Sequence, residues 1–458
     1  MTKLYYNDVY QQQQQQIIRK YEDKIQDGKL QIGEWQRGDQ QITNLRFVEQ
    51  FNIQKLMIYV SDNLNIKIRS ITINELTLEK SEQARSDVTH FNTDDLELEN
   101  LEVLKLENNK LKNQQLYNLA KFKKLHTLNI SLNNVDLTYI HNISSLTKLY
   151  MKQCDLKNID LIISLINLEE LDLSANRGIY LYPLCNLKSL RKLNVSQCNL
   201  KQIDYIGSLT NLQVLEISLN TLQNIKSISR LVNLKELNIM QNENIDITPL
   251  KDLVSLVKLD LQYCKLKQLS ALRPLINLQI LDISFNLNIN ITTLQYLKNL
   301  THLYIKCCGL VSVCVLRPLV NLETLVITNN QIVYLDADFN QMTKLKCFQV
   351  HSKLLVDITY ILKNLNFNNF DQNKDIRLDI SFQGIPSQEQ LRRANKFRKI
   401  ESPIIQLKEI LNKHQNVKTA LNNCKYKLIN GALNNDNYIQ FSSSAVQLFE
   451  LLNQPVSQ

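Results

Sequence analysis

Breakers of regular structure are scarce in this 458-residue chain, with 8 glycines and 7 prolines. No run of about 18 uncharged apolar residues occurs, so a helical membrane span is not expected. Met1 to Tyr10 shows no basic start followed by an apolar stretch, hence no visible signal peptide. The nine cysteines do not make the even framework of a small secreted protein. Chemistry-bearing motifs are missing too. There is no G-x-x-x-x-G-K-[ST] or G-x-G-x-x-G to cradle phosphate, no H-E-x-x-H and no C-x-x-C. These absences argue against an enzyme and against any cofactor.

Apolar residues make up 44 % and charged residues 21 %, the balance of a folded, soluble chain. The formal charge is +9, but residues 386–458 hold ten Lys or Arg against five Asp or Glu, so more than half of the excess sits there. The sequons Asn129-Ile130-Ser131 and Asn194-Val195-Ser196 would fall on sheet strands, where a glycan would block the face. With the unpatterned cysteines, this leads us to expect a reducing cytoplasm.

One pattern dominates what is present: L-x-x-L-x-L-x-x-N-x-L. Its cleanest copy is Leu212-x-x-Leu215-x-Ile217-x-x-Asn220-x-Leu222. The ninth position holds Asn109, Asn133, Cys154, Asn176, Cys198, Asn220, Asn242, Cys264, Asn286, Cys308 and Asn330, in steps of 24, 21 and thereafter 22 residues. A degenerate copy follows at Leu345-x-x-Phe348-x-Val350. Weaker ones precede the array at Ile53-x-x-Leu56-x-Ile58 and Ile73-x-x-Leu76-x-Leu78, and Ile42 to Phe47 begins another. Repeats of this period are units that cannot bury a core alone and must stack. Each L-x-L is a short strand alternating inward and outward. The expected fold is an α/β solenoid of about 14 coils, with a parallel concave sheet and short 3₁₀ or extended convex segments. At about 4.8 Å per strand it would be on the order of 65 Å long.

The ninth position faces inward where the chain leaves the strand. A carboxamide there can satisfy backbone groups of adjacent coils, so the eleven residues are expected to form a structural ladder. Cysteine tolerates the same burial and offers a weak donor. No two ladder cysteines fall in neighbouring coils, and at roughly 10 Å apart they cannot form disulfides. About 11 residues return each coil, too few for a full helix. Prolines at Pro183, Pro249, Pro274 and Pro318 suit the start of short turns. Leu116, Leu119 and Phe122 are at helical spacing, predicting a helical turn or two between Gln114 and Lys124.

The 22-residue register, with P-L-x-x-L or P-L-x-N-L on the return, resembles the SDS22-like class of leucine-rich repeats. The nuclear regulatory subunit of protein phosphatase 1 and the bacterial internalins share that class. The opening Tyr21-Glu22-Asp23-Lys24-Ile25-Gln26-Asp27-Gly28-Lys29-Leu30 and the segment Ala271-Leu272-Arg273-Pro274-Leu275 are similar to the leucine-rich repeat proteins of diplomonad protists. The resemblance implies a binding scaffold without catalysis.

Strand residues between the inward leucines face the concave side. That column reads Lys105, Asn129, Tyr150, Asp172, Asn194, Glu216, Asn238, Asp260, Asp282, Tyr304 and Val326. Two positions earlier stand Glu170 and Glu236, offset by Lys192 and Lys258. Just before the ladder come Leu219, Gln241, Tyr263, Phe285 and Cys307. Acids beside aromatics suit a protein or peptide of basic or mixed charge. The expected binding residues are therefore Glu170, Asp172, Glu216, Leu219, Glu236, Asp260, Tyr263, Asp282, Phe285 and Tyr304. Alternatively, acids and asparagines there only solvate the sheet, and aromatics only pack across strands. His302, Cys307, Cys308 and Cys314 are close in sequence, but strand alternation separates them, so no metal is expected.

The expected layout is a helical cap over 1–41, the solenoid over 42–355, a fading repeat or linker over 356–385, and a basic helical region over 386–458. Ile17, Ile18, Tyr21 and Ile25 sit near helical spacing in the cap. Ser387 opens a second helix carrying Arg392, Arg393, Lys396, Arg398 and Lys399. No small-molecule substrate is expected, a monomer is, and nucleic acid or membrane binding through the basic region is a lesser alternative. So is a role as regulatory subunit of a phosphatase or another enzyme.

Overall fold

The computed structural model describes residues 25–32, 48, 51–60, 67–80, 91–332 and 341–352, and the strands at 377–382 and 439–441. It divides into two compact units, Met1–Thr221 and Leu222–Gln458. The helices expected near Ile17 to Ile25 and from Ser387 onward, with the basic run, lie outside the described residues.

In the first unit the strands β1 (Lys29–Ile32), β2 (Lys55–Val60), β4 (Glu75–Lys80), β6 (Val103–Lys105), β7 (Thr127–Asn129), β8 (Lys148–Tyr150), β9 (Glu170–Asp172), β10 (Lys192–Asn194) and β11 (Val214–Glu216) pair in parallel, each with the next. A small parallel pair, β3 (Ile68–Ser70) with β5 (Leu96–Leu98), lies apart from that sheet. The second unit repeats the plan with β12 (Glu236–Asn238), β13 (Lys258–Asp260), β14 (Ile280–Asp282), β15 (His302–Tyr304), β16 (Thr324–Val326), β17 (Cys347–Ser352), β18 (Arg377–Phe382) and β19 (Ile439–Phe441). Each unit is thus a parallel β-sheet solenoid.

Two strands lie within the terminal regions, beyond the stretches for which helix was expected. Lys29–Ile32 lies inside 1–41, where Leu30 and Ile32 are buried and the strand pairs with Lys55–Val60. A parallel edge with two inward apolar residues is enough to hold it. Ile439–Phe441 lies inside 386–458 and pairs with Arg377–Phe382.

From β6 to β16 the strands are only three residues long, and their middle leucines explain why they form. Leu104, Leu149, Leu193 and Leu215 in the first unit, and Leu259, Leu281 and Leu303 in the second, are at most 1 % exposed. Each burial is worth about 1.5–3 kcal/mol. The return side is made of 3₁₀ turns such as Asp160–Ser164, Asp204–Ser208 and Lys226–Arg230. Pro183 and Pro249 are the second residues of their turns, Tyr182–Asn186 and Thr248–Asp252. Pro274 and Pro318 instead follow turns ending at Leu272 and Leu316, where the missing N–H stops further 3₁₀ bonding. The 24-residue coil has two such turns, Asn113–Leu116 and Leu119–Lys121, with Leu116, Leu119 and Phe122 buried.

The ninth-position asparagines each tie two coils. Asn220 Oδ1 accepts from the N–H groups of Cys198 at 3.1 Å and Leu200 at 2.9 Å. Its Nδ2 donates to Val195 O and Ile217 O, both at 3.0 Å. Asn133 and Asn176 do the same in the first unit, and Asn330 in the second. The thiols of Cys154, Cys198, Cys264 and Cys308 donate to the carbonyls of Ile130, Leu173, Ile239 and Ile283 at 3.2–3.3 Å. Asn109, Asn242 and Asn286 are buried in the same column. Asn109 Nδ2 reaches Leu78 O, Asn242 Oδ1 accepts from Leu222 N–H, and Asn286 bonds Leu266 N–H and Leu261 O.

A second line of carboxamides runs along the return side. Asn167 and Asn211 donate to Ser144 O and Lys188 O in the first unit. Asn277, Asn299 and Asn321 donate to Val254 O, Ile276 O and Lys298 O in the second. These side chains are solvent-facing, so apolar periodicity does not reveal them.

Asn220→Ala strands two buried N–H groups at about 1–3 kcal/mol each, whereas Cys198→Ala loses one weak donor. Hydrogen exchange at Cys198 and Leu200 amides is expected to accelerate strongly in the first variant and slightly in the second; equal effects would contradict the ladder account. Burial pushes the four ladder thiols up to about 11. In native protein, iodoacetamide mapped by mass spectrometry is expected to mark exposed Cys314 and to spare Cys154, Cys198, Cys264 and Cys308 until the chain is denatured.

Candidate protein-binding face

The ten expected binding residues divide between the units: Glu170, Asp172, Glu216 and Leu219 on the first, Glu236, Asp260, Tyr263, Asp282, Phe285 and Tyr304 on the second. All except Leu219, Tyr263 and Phe285 lie on strands β9, β11, β12, β13, β14 and β15.

The outward Asp and Asn side chains of the strands have a local duty. Asp172 Oδ1 accepts from Ser174 N–H at 2.8 Å, Asp260 Oδ1 from Gln262 N–H at 3.0 Å and Asp282 Oδ1 from Ser284 N–H at 2.9 Å. Asn129, Asn194 and Asn238 make the same bond to the residue two ahead. Each such side chain closes the bend that ends its strand. The signal was present in the sequence, since six of the eleven residues in that column are Asp or Asn. Asp172 also accepts from Asn194 Nδ2 at 3.3 Å.

The acids two positions earlier are matched by lysines. Glu170 is held by Lys148 at 2.8 Å and Lys192 at 3.6 Å, and the Tyr150 hydroxyl donates to it at 2.9 Å. Burial pushes the Glu170 carboxyl up, but these partners outweigh it and leave it below its ordinary value. Burial and the same hydrogen bond push the Tyr150 hydroxyl up to about 12. Glu236 pairs with Lys258 at 3.6 Å. On the first unit, therefore, the strip is more nearly neutral than its acids alone imply.

The second unit differs. Asp260 and Asp282 face each other in register on β13 and β14, with Tyr304 next to Asp282 on β15. Burial raises both carboxyls. At Asp282 the Asp260 charge adds to the rise and Lys306 opposes it. Tyr263 and Phe285 stack ring on ring, 4.1 Å between centroids and 8° from parallel, and Tyr263 is 44 % exposed.

These rings do not stand on the strands. Leu219, Tyr263 and Phe285 have φ of 56°, 54° and 61°, in the left-handed region. So do the other residues just before the ladder, including Asn108, Gln241, Cys307 and Asn329. Left-handed backbone disfavours any residue with a Cβ by about 1–2 kcal/mol, least for asparagine. Apolar spacing carries no information about this conformation.

Among the described residues, no group of three or more His, Cys, Asp or Glu is placed to hold a metal, and no helix is long and apolar enough to cross a membrane. Cys308 is buried while His302 and Cys307 are half-buried.

No protein-family model matches the sequence, and no curated protein does either. Solved structures do match, and they identify the fold as that of leucine-rich repeat proteins. A leucine-rich repeat protein of Leptospira interrogans aligns over 80 % of this chain and 94 % of its own, at 22 % identity and a TM-score of 0.58. The internalin InlF of Listeria monocytogenes aligns over 63 % and 84 %, at 23 % identity and 0.53. The functional domain of InlJ from Listeria monocytogenes, which includes a cysteine ladder, aligns over 76 % of each chain at 18 % identity and 0.50.

Asp260→Asn with Asp282→Asn keeps both Oδ1 acceptors and removes two half-buried charges. Because the folded carboxyls are raised, the native unit binds protons more tightly than the unfolded chain. Their contribution is therefore most favourable below the ordinary carboxylate range and is lost as pH rises through the raised values. The double variant is expected to resist urea better than wild type at pH 7, with the gap closing by about pH 4, as followed by circular dichroism. A gap that widens in acid would refute the assignment.

Proposed function

We propose that the chain is a non-catalytic scaffold that holds another protein, with its main contact on the second unit at Tyr263, Phe285, Tyr304, Asp260 and Asp282. One observation carries this reading. Two aromatic side chains occupy left-handed positions that asparagine would fill at lower cost, and there they stack while leaving Tyr263 open to solvent. Neither backbone ease nor core packing accounts for them; contact with a partner does. The acids tell the same story. Asparagine caps the bend at Asn238 without a charge, yet Asp260 and Asp282 carry a half-buried one. A stability cost retained at an open surface suits a basic peptide segment.

The first-unit residues Glu170, Asp172, Glu216 and Leu219 form a weaker, more neutral part of the strip in this reading. The SDS22-like step of 22 residues supports a scaffold class in which the coils are generic and the facing side chains are particular. The free state of all eight described cysteines is in keeping with a reducing compartment such as the cytoplasm.

The test is capture of partners from extract by the full chain and by Tyr263→Ala/Phe285→Ala/Tyr304→Ala, with identification by mass spectrometry. Losing anchors of this kind costs about 2 kcal/mol or more, so specific partners should fall to about a thirtieth of wild-type affinity. Retention of the same partners at full strength would sink the proposal.

A further inference from the structure

The first unit carries a feature of which the binding strip uses Leu219 alone. Gln153, Ala175, Gln197 and Leu219 each stand one residue before a ladder position, and Arg177 and Asn199 stand one residue after. Together these six line an open hollow of about 740 Å³. Five of them, all but Arg177, have left-handed backbone with φ between 52° and 58°. Ala175, with only a methyl group, comes between Gln153 and Gln197 in its column and keeps the middle of the hollow unfilled.

The lining has a definite chemistry. Ala175 and Leu219 are half-buried and apolar, whereas Gln153, Arg177, Gln197 and Asn199 are exposed and polar. Backbone N–H groups are already spent: those of Gln153, Ala175 and Gln197 donate to Ser174 O, Ser196 O and Ser218 O at 2.8–3.0 Å. Recognition therefore falls to side chains. Three carboxamides can each donate and accept, matching the N–H and C=O groups of an extended main chain. Arg177 supplies a permanently charged donor fork, and among the described residues no carboxylate pairs with it. No acid lines the hollow, and the nearest in the same column, Asp155, is paired with Lys157.

A guanidinium fork matches the two oxygens of a carboxylate, bidentate and in plane. We propose that this hollow receives an acidic segment of a bound peptide, with Arg177 holding a Glu or Asp carboxylate and Gln153, Gln197 and Asn199 bonding the main chain around it. The proposal rests on the scaffold reading and extends it. The first unit would select an acidic stretch, and the second a basic or aromatic-binding one.

The full chain is titrated with fluorescein-labelled hexapeptides of alternating glycine and glutamate, and with glutamine and lysine versions. A hexathymidine oligonucleotide is the competitor. The glutamate peptide is expected to bind about tenfold more tightly than the glutamine one, and more weakly as salt rises. Arg177→Glu and Gln197→Glu should each abolish that preference, and Arg177→Lys should reduce it, because a lysine lacks the fork. Tyr263→Ala/Phe285→Ala should leave it intact. The proposal fails if glutamate is not preferred, if the preference survives Arg177→Glu in a chain with wild-type circular dichroism, or if the oligonucleotide displaces the peptide at lower concentration. Absent glutamate preference, with partner capture still lost in the aromatic triple variant, rejects the hollow and spares the scaffold. Glutamate preference with undiminished capture in that variant rejects the aromatic strip alone.

Discussion

Everything in each unit depends on satisfying the backbone where a three-residue strand ends. A strand that short makes few ladder bonds of its own, and the chain must then bend sharply inside an apolar interior. Unpaired N–H and C=O groups there would each cost about as much as a buried leucine contributes. The buried carboxamide resolves this by accepting from the preceding coil and donating both to that coil and to its own. Asn176 accepts from Cys154 and Leu156 and donates back to Met151. Where cysteine stands instead, its sulfur donates once, to a carbonyl of the coil before it. The mixed column shows how much bonding the bend demands and how much it can forgo.

The bend has a further effect on the surface. It forces left-handed backbone on the residue before the ladder and often on the one after, as at Lys110, Asp155, Asn199 and Lys265. Side chains at these places are set by neither sheet pairing nor core packing. In the first unit they form a polar hollow around Ala175, and in the second an aromatic stack at Tyr263 and Phe285. The same constraint therefore yields two surfaces of different chemistry, and both functional inferences rest on them.

The repeat step, the inward leucines and the parallel sheet were legible in the sequence because burial imposes period and residue type together. The bonding of the polar column could be anticipated from carboxamide chemistry. Backbone handedness could not, since Tyr, Phe, Gln and Ala at the left-handed sites leave no mark, unlike glycine. The acid column was only partly readable. Its negative charge was plain, but the capping bonds of Asp172, Asp260 and Asp282 and the lysine clasp on Glu170 emerge only from geometry. The strand Lys29–Ile32 was hidden because two apolar residues amid polar ones give no period to follow. Arg177 escaped notice because the carboxamides that share the hollow with it, Gln153, Gln197 and Asn199, stand on neighbouring coils and not beside it in the chain.

The coil-to-coil bonds have one more implication. Asn133, Asn176 and Asn220 all reach the preceding coil with the same atoms, and cysteines occupying the same column leave that scheme unbroken. A whole coil excised or duplicated within a unit would leave donors opposite acceptors across the new seam. Recombination can thus lengthen or shorten such an array without redesigning its interior, while point changes on the outward columns retune what it grips. Architecture and recognition are free to evolve at separate rates.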